Sequence, residues 1–243
     1  MGDCIDQQYD TMTEMIQMTL EKEEQAKDIY TVFHDYGFNN VTIAGILANI
    51  DIESALDSSA IEGIFSEYGI LGTKKAAALL SIGNYTENTL FPLYKSSGVS
   101  INRDGYKTTN SYGDTIYYCG LGFIQWTGPN AKTLLTAAEN LGVNWYDKNF
   151  QLGYMINDNM YRPGFFSTWK DNQSEDYDFD PDDYDPADYL TYEEYETALE
   201  EAQEAAFEAA AERAKEAAVY FAHGYEGNTG SDETRKNAAV IWY

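Results

Sequence analysis

From Val41 to Leu56 the chain reads VTIAGILANIDIESAL, and Ile43, Ile46, Leu47 and Ile50 recur at the three-and-four spacing that lays one apolar stripe along a helix. Asn39 and Asn40 precede it and suit a helix start, since a short amide side chain can take up a free N–H of the first turn. Glu53 follows at the edge of the stripe, with Asp51 on the other flank. A carboxylate placed where a helix passes from core to cleft is partly desolvated, which disfavours the charged form and suits proton donation. Periodicity alone favours the plainer reading, a solvated glutamate in a last helical turn.

The rest of the pattern is mainly helical. Residues 10–36 read as a helix with Met15, Met18, Ile29, Val32 and Phe33 buried and Gly37 as its stop. Lys74 to Leu80 is a short apolar helix candidate. The stretch SINRDGYKTTNSYGDTIYYCG has two β-prone runs beside Asp104-Gly105, a hairpin signal. Thr127 can cap a helix with Pro129 in its first turn, running through Leu134, Leu135, Ala138 and Leu141 to a stop at Gly142. Phe150 to Met160 makes another, with Phe150, Tyr154, Ile156 and Met160 apolar. From Tyr192 to His223 an alanine-rich run, with Leu199, Ala202, Ala206, Ala209, Val219 and Phe221 inward and glutamate outward, reads as one long helix ended by Gly224. Tyr225-Glu226 falls in a turn, and Arg235 to Tyr243 closes the chain as a helix.

A chain of 243 residues with 44% hydrophobic side chains can bury a sizeable core. No apolar run approaches the ~20 residues of a membrane span, and MGDCIDQQYD lacks the basic-then-apolar order of a secretory signal, so the expected route to an outside target is another one. The net charge of -26 argues against nucleic acid, whose phosphates call for clustered Lys and Arg, and against anionic membranes. Residues 171–208 carry 16 of the 41 acidic side chains and no Lys or Arg. Most of the imbalance is therefore local. Within it, 171–190 alternates Asp with Tyr and Pro and has too few aliphatic groups to bury, as expected of a flexible acidic insertion. A calcium loop fits poorly, since Asp176, Asp178 and Asp180 are followed by Pro181 where an EF-hand needs Gly, and Ala187 stands where it needs Glu.

Candidate chemistry is sparse elsewhere. Cys4 and Cys119 have no metal or redox spacing and read as free thiols. His34 and His223 stand without a nucleophile or ligand constellation. In GLGFIQWTG, Gly120 and Gly122 allow close backbone approach, while Gln125 offers an amide for an acetamido group. Trp126 suits either stacking on a pyranose face or a place in the core.

Four segments in order, AGILANIDIESAL, GLGFIQWTGPNAKTLL, FQLGYMIND and the terminal YFAHGYEGNTGSDETRKNAAVIWY, resemble the phage tail lysozyme family, a branch of the lysozyme-like fold related to goose-type lysozymes and soluble lytic transglycosylases. The resemblance runs from about Gln25 to Tyr243, leaving 1–24 as an extension or linker. Where the family commonly has Gly-Asn, this chain has Ala48-Asn49. The resemblance implies a mainly helical α+β fold with a small β-hairpin beside the catalytic helix. It places the catalytic acid on Glu53 of the Glu53-Ser54 pair, with Asn49, Gln125, Trp126 and Tyr225 as substrate-binding candidates, the last through the family's Tyr-Glu pair.

The implied substrate is the peptidoglycan glycan strand and the implied reaction cleavage of its muramyl β-1,4 bond, with no metal or organic cofactor. Glycosidases usually add a second carboxylate. Asp57, Glu62, Asp104 and Asp114 are the candidates, and lack of such a partner would favour a transglycosylase giving 1,6-anhydro ends. The implied setting is a phage tail or related injection apparatus to which the protein is tethered, acting outside the bacterial cell. A charge of -26 fits tethering, because anionic wall polymers repel a freely diffusing protein of that charge. A chain ending where the family domain ends is expected to be one module of a longer protein. Rival readings are a non-catalytic glycan clamp of a tail and a wall-remodelling enzyme of a conjugation system.

Overall fold

The computed structural model describes residues 20–62, 80–96, 106–157, 162–174, 179–228 and 230–243. The candidate helix at Lys74 to Leu80, the Asp104-Gly105 pair and Cys4 lie outside these residues, Leu80 excepted. The described elements are helices α1 (20–36), α2 (Asn40–Ser54) and α3 (Glu87–Ser96), strands β1 (Lys107–Thr109) and β2 (Thr115–Tyr117), then α4 (Gly128–Leu141), α5 (Lys148–Ile156), α6 (Phe165–Asp171), α7 (Tyr192–Phe221) and α8 (Asp232–Trp242). Among the described residues no helix is long and apolar enough to cross a membrane.

Two compact units emerge. One holds Phe33–Asn49 and Ser167–Tyr243; the other holds the described residues of 1–32 and 50–166. The first unit is built on small side chains. Val41, Ala44 and Ala48 of α2 pack with Ala210, Ala214 and Ala218 of α7 and Ala239 of α8. Gly45 is required at this crossing, because a Cβ there would lie 2.6 Å from the Ala218 nitrogen. Asn39 caps α2, its Oδ1 accepting the Thr42 N–H at 3.0 Å. Every residue from 41 to 50 is buried, so α2 carries no single apolar stripe but is enclosed on all sides. That explains how Gly45 and Asn49 can stand between isoleucines without marking a solvent face.

Asn49 is closed to solvent and its amide is fully committed. Nδ2 donates to Gly45 O and Ala218 O, each at 2.8 Å, and Oδ1 accepts from Arg235 Nε at 2.6 Å. The Arg235 guanidinium, itself buried, also donates to Gly230 O and pairs with Glu226 at 3.3 Å. Glu226 is presented by a π-helical turn, Ala222–Glu226, into which α7 runs directly. The expected stop at Gly224 is thus inside that turn, and the left-handed residue that ends it is Gly227, φ 74°.

Thr191 and Glu194 form the capping box that starts α7. Ahead of it, the described part of the acidic stretch makes two exposed 3-10 turns, Pro181–Asp183 and Pro186–Asp188, each opened by an aspartate that accepts its first-turn N–H. His223 is paired with Asp232 at 3.0 Å.

In the other unit α4 follows its sequence signals closely. Thr127 holds the N-cap position in extended backbone but its side chain makes no capping hydrogen bond, Pro129 lies in the first turn, and Gly142 at φ 68° closes it with Val143 N–H donating to Ala138 O. Leu141, expected inward, is 64% exposed. The strands pair antiparallel, Thr108 opposite Ile116, and turn through Asn110–Asp114 instead of at Asp104-Gly105. The Asn110 side chain accepts the Tyr112 and Asp114 N–H groups, which fixes that turn locally. Tyr106 stacks on Tyr117, and Tyr85 meets Tyr117 edge-on. α5 spans Lys148–Ile156, capped by Asp147, whose side chain accepts the Phe150 N–H. Met160 lies outside the described residues.

Candidate active site

α2 ends abruptly at Ser54, whose hydroxyl donates back to Ile50 O at 2.8 Å. The next two residues, Ala55 and Leu56, both take left-handed backbone, φ 53° and 63°. Left-handed backbone at a residue with a side chain is costly and persists where the surroundings over-determine it. Leu56 is completely buried. The chain therefore breaks out of the helix just beyond Glu53, leaving that carboxylate half-buried at its end.

The segment that follows returns to lie along the glycine turn. Asp57 accepts both the N–H and the hydroxyl of Ser59, at 2.8 and 2.7 Å, so that oxygen of the carboxylate is engaged in shaping the turn. Ile61 and Leu121 then form an antiparallel bridge, flanked by Gly122 N–H to Ala60 O at 2.8 Å and Glu62 N–H to Gly120 O at 2.9 Å. Leu121 and Trp126 exchange two hydrogen bonds of 3.0 Å that pinch residues 122–125 into a tight loop. Gln125 takes left-handed backbone, φ 52°, and its Nε2 donates to Gly122 O. Its Oε1 lies over Gly120, where a Cβ would meet it at 2.6 Å. Glycine at 120 is what lets the amide close down there.

Of the four acidic candidates, Glu62 lies on this bridge. Its Oε2 accepts the Gly120 N–H at 3.1 Å. Burial pushes its carboxyl above the ordinary 4.5, the Gly120 hydrogen bond pulls the other way, and the nearby Glu53 carboxylate raises it further. Glu62 in turn bears on its neighbours. The Cys119 thiol is held well above its usual value by burial and then by Glu62. Tyr85, whose hydroxyl donates to Cys119 O at 2.8 Å, is raised by burial, then by Cys119 and Glu62. Of the other acidic candidates, Asp114 is exposed at the hairpin end, paired with Asn110, and Asp104 lies outside the described residues.

A stability prediction follows from Glu62. Below 4.5 the carboxyl is protonated in both the folded and unfolded chain and its burial costs little. As pH rises through the raised folded value, the fold must take on a buried charge and loses stability. Glu62→Gln, which keeps an acceptor for Gly120, is therefore expected to melt above the wild type at pH 7 and level with it at pH 4. Thermal melts across that range check the sign; a variant less stable at pH 7 would contradict it.

The remaining sequence candidates lie deeper. Trp126 is 2% exposed, edge-on to Tyr154, and its indole N–H has no hydrogen-bond partner among the described residues. Tyr225 is fully buried and stacked on Phe221 at 5.1 Å. Asn49 is held by the Arg235 network described above. Glu53 and Gln125 are half-exposed, as are Asp57 and Glu62 among the acidic candidates. Sequence reasoning passed over Gln151, a fully buried amide in α5 that joins Ser58, Phe123 and Trp145. Its one visible signal is a glutamine inside the apolar run FQLGYM.

The model of one protein family, Phage tail lysozyme, matches residues 24–243. Neither the curated proteins nor the solved structures compared with the chain include a significant match.

Proposed function

Because the chain belongs to the phage tail lysozyme family, we propose that it cuts the β-1,4 bond between N-acetylmuramic acid and N-acetylglucosamine, with Glu53 protonating the leaving oxygen. The family carries a lysozyme-like, wall-degrading role in a phage tail, and the helices with one small antiparallel hairpin are those of a lysozyme-like α+β fold. The observation that carries the finer reading is the Glu53–Glu62 pair: one carboxylate at a broken helix end, the other on the adjoining bridge and electrostatically coupled to it.

The chemistry needs two such groups. Protonation of the glycosidic oxygen by Glu53 lets the bond break towards an oxocarbenium-like centre, and Glu62, once ionised, either steers water to that centre or stabilises its charge. Gln125, brought beside the Gly120 N–H that holds Glu62, is placed to pair with an acetamido group. Asn49, Trp126 and Tyr225 take framework roles on this reading, since each is 2% exposed or less.

Glu62, raised by burial, also supports the converse assignment, in which it donates the proton and Glu53 serves as its partner. Leaving-group dependence separates the two. On an aryl glycoside with a good leaving group the proton donor is dispensable, so Glu53→Gln should lose far less there than on peptidoglycan, while Glu62→Gln should lose similarly on both. The opposite pattern assigns the proton to Glu62, and unchanged wall lysis in both variants would remove the pair from the reaction.

A further inference from the structure

Gln151 is the polar residue on which the site's two loops converge. Its Oε1 accepts the Phe123 N–H at 2.9 Å, and its Nε2 donates to Ser58 O at 2.7 Å and Trp145 O at 2.9 Å. Those bonds use both donors of the amide and its carbonyl, so its orientation is fixed: turned over, it would set N–H against N–H and carbonyl against carbonyls. Ser58 is itself tied down, its hydroxyl donating to Tyr146 O at 2.8 Å. The position is closed from the other side as well. Gly122 has φ 73°, and a side chain there would collide with the Gln151 amide.

The placement of these partners matters more than their number. Ser58 stands two residues beyond Leu56 and four before Glu62, while Phe123 stands two before Gln125. The amide thus joins the two segments that contain the left-handed Ala55, Leu56 and Gln125. Left-handed backbone at a residue with a side chain is strained and reverts unless its surroundings hold it. Gln151 is the buried group that ties both strained segments to one helix.

We propose that Gln151 is a positioning residue, whose amide sets the segment bearing Glu62 against the turn bearing Gln125 and so keeps the two loops in their working register. It does not touch substrate. The inference rests on the reading of Glu53 and Glu62 as the reactive pair, and it adds a requirement that this reading does not contain: a buried amide on α5 controls the rate.

The test uses Gln151→Met, which keeps length but makes none of the three bonds, and Gln151→Glu, which keeps an acceptor for Phe123 but at neutral pH cannot donate to Ser58 or Trp145. If the methionine variant does not fold, the glutamate variant carries the same comparison. Each is assayed on peptidoglycan well below its melting temperature, with kcat expressed per folded molecule. The expected result is a fall in kcat of about tenfold or more, since a misplacement near 1 Å can cost up to a hundredfold. Gln151→Glu should recover part of the loss as pH falls, because its protonated form regains one donor.

A readout independent of turnover is the carbon-13 titration of the Glu62 carboxyl, assigned with Glu62→Gln. The groups facing it are Glu53, Cys119, Tyr85 and the Gly120 N–H. Loosened loops admit water, so its midpoint should fall towards the ordinary glutamate range in Gln151→Met. Wild-type kcat per folded molecule together with a superimposable Glu62 titration would overturn the proposal. Were the wild type itself unable to cut the wall, the proposed function would fail, and the titration alone would decide the role of Gln151.

Discussion

Replacing Glu53 with glutamine is expected to leave the fold intact and to lower wall lysis by a factor of about 100 or more. Glutamine matches glutamate in shape, and Glu53 stands at the last turn of α2, half-exposed. What it removes is the proton. Without it the sugar must depart as an alkoxide; of its neighbours on α2, Asp51 is paired with Lys22 and the Ser54 hydroxyl donates to Ile50 O. Both proteins would be assayed on the same sacculi at matched circular dichroism. Retained turnover in the variant would move the donor to Glu62 or end the glycosidase reading.

The largest expected effect on stability lies elsewhere, at Arg235. Arg235→Met removes the countercharge from Glu226, whose side chain is only 5% exposed, and takes the Nε donor from the buried Oδ1 of Asn49. Breaking one side of a buried ion pair costs about 3–5 kcal/mol, because the remaining charge stays desolvated. Adding Glu226→Gln to Arg235→Met should recover part of that loss, since the stranded charge is then gone. Urea unfolding of wild type, single and double variants measures both. A loss under about 1 kcal/mol would mean that water or rearrangement replaces the guanidinium readily.

How far the sequence carried these points varies by kind of interaction. Local rules succeeded where the physics is local: the cap at Asn39, the stop at Gly37, Pro129 and Gly142 bounding α4, and the start of α7 at Tyr192. The hairpin was legible as a hairpin, yet its turn was not, because Asn110 with its Asx-type hydrogen bonds outcompetes the more familiar Asp-Gly pair. Gly224 misled for a related reason. A glycine can sit inside a π-helical turn as well as end a helix, and sequence spacing does not distinguish the two.

Long-range polar chemistry was not readable at all. Asn49 and Arg235 are 186 residues apart, and no periodicity links them. The same holds for Gln151, whose partners come from three separate segments. The large apolar positions of α2 were legible, but the single stripe they suggested is not what the helix carries, since a helix buried over 41–50 needs small residues at its closest crossing as much as large ones elsewhere. Trp126 and Tyr225 carry the residue types of sugar platforms, but type does not report burial. Glu62 was one of four acidic candidates, and what distinguished it was its return alongside Gly120 beside the end of α2.

The most direct test of the central claim is the mass of what the protein releases from purified peptidoglycan. A glycosidase with the Glu53–Glu62 pair adds water across the muramyl bond, so unreduced muropeptides should end in reducing muramic acid, and Glu53→Gln should release almost none. Attack by the muramyl O6 would instead leave 1,6-anhydro ends, one water lighter. Predominantly anhydromuramyl products would contradict the water-delivering role given to Glu62, and no new muramyl ends from the wild type would contradict the account as a whole.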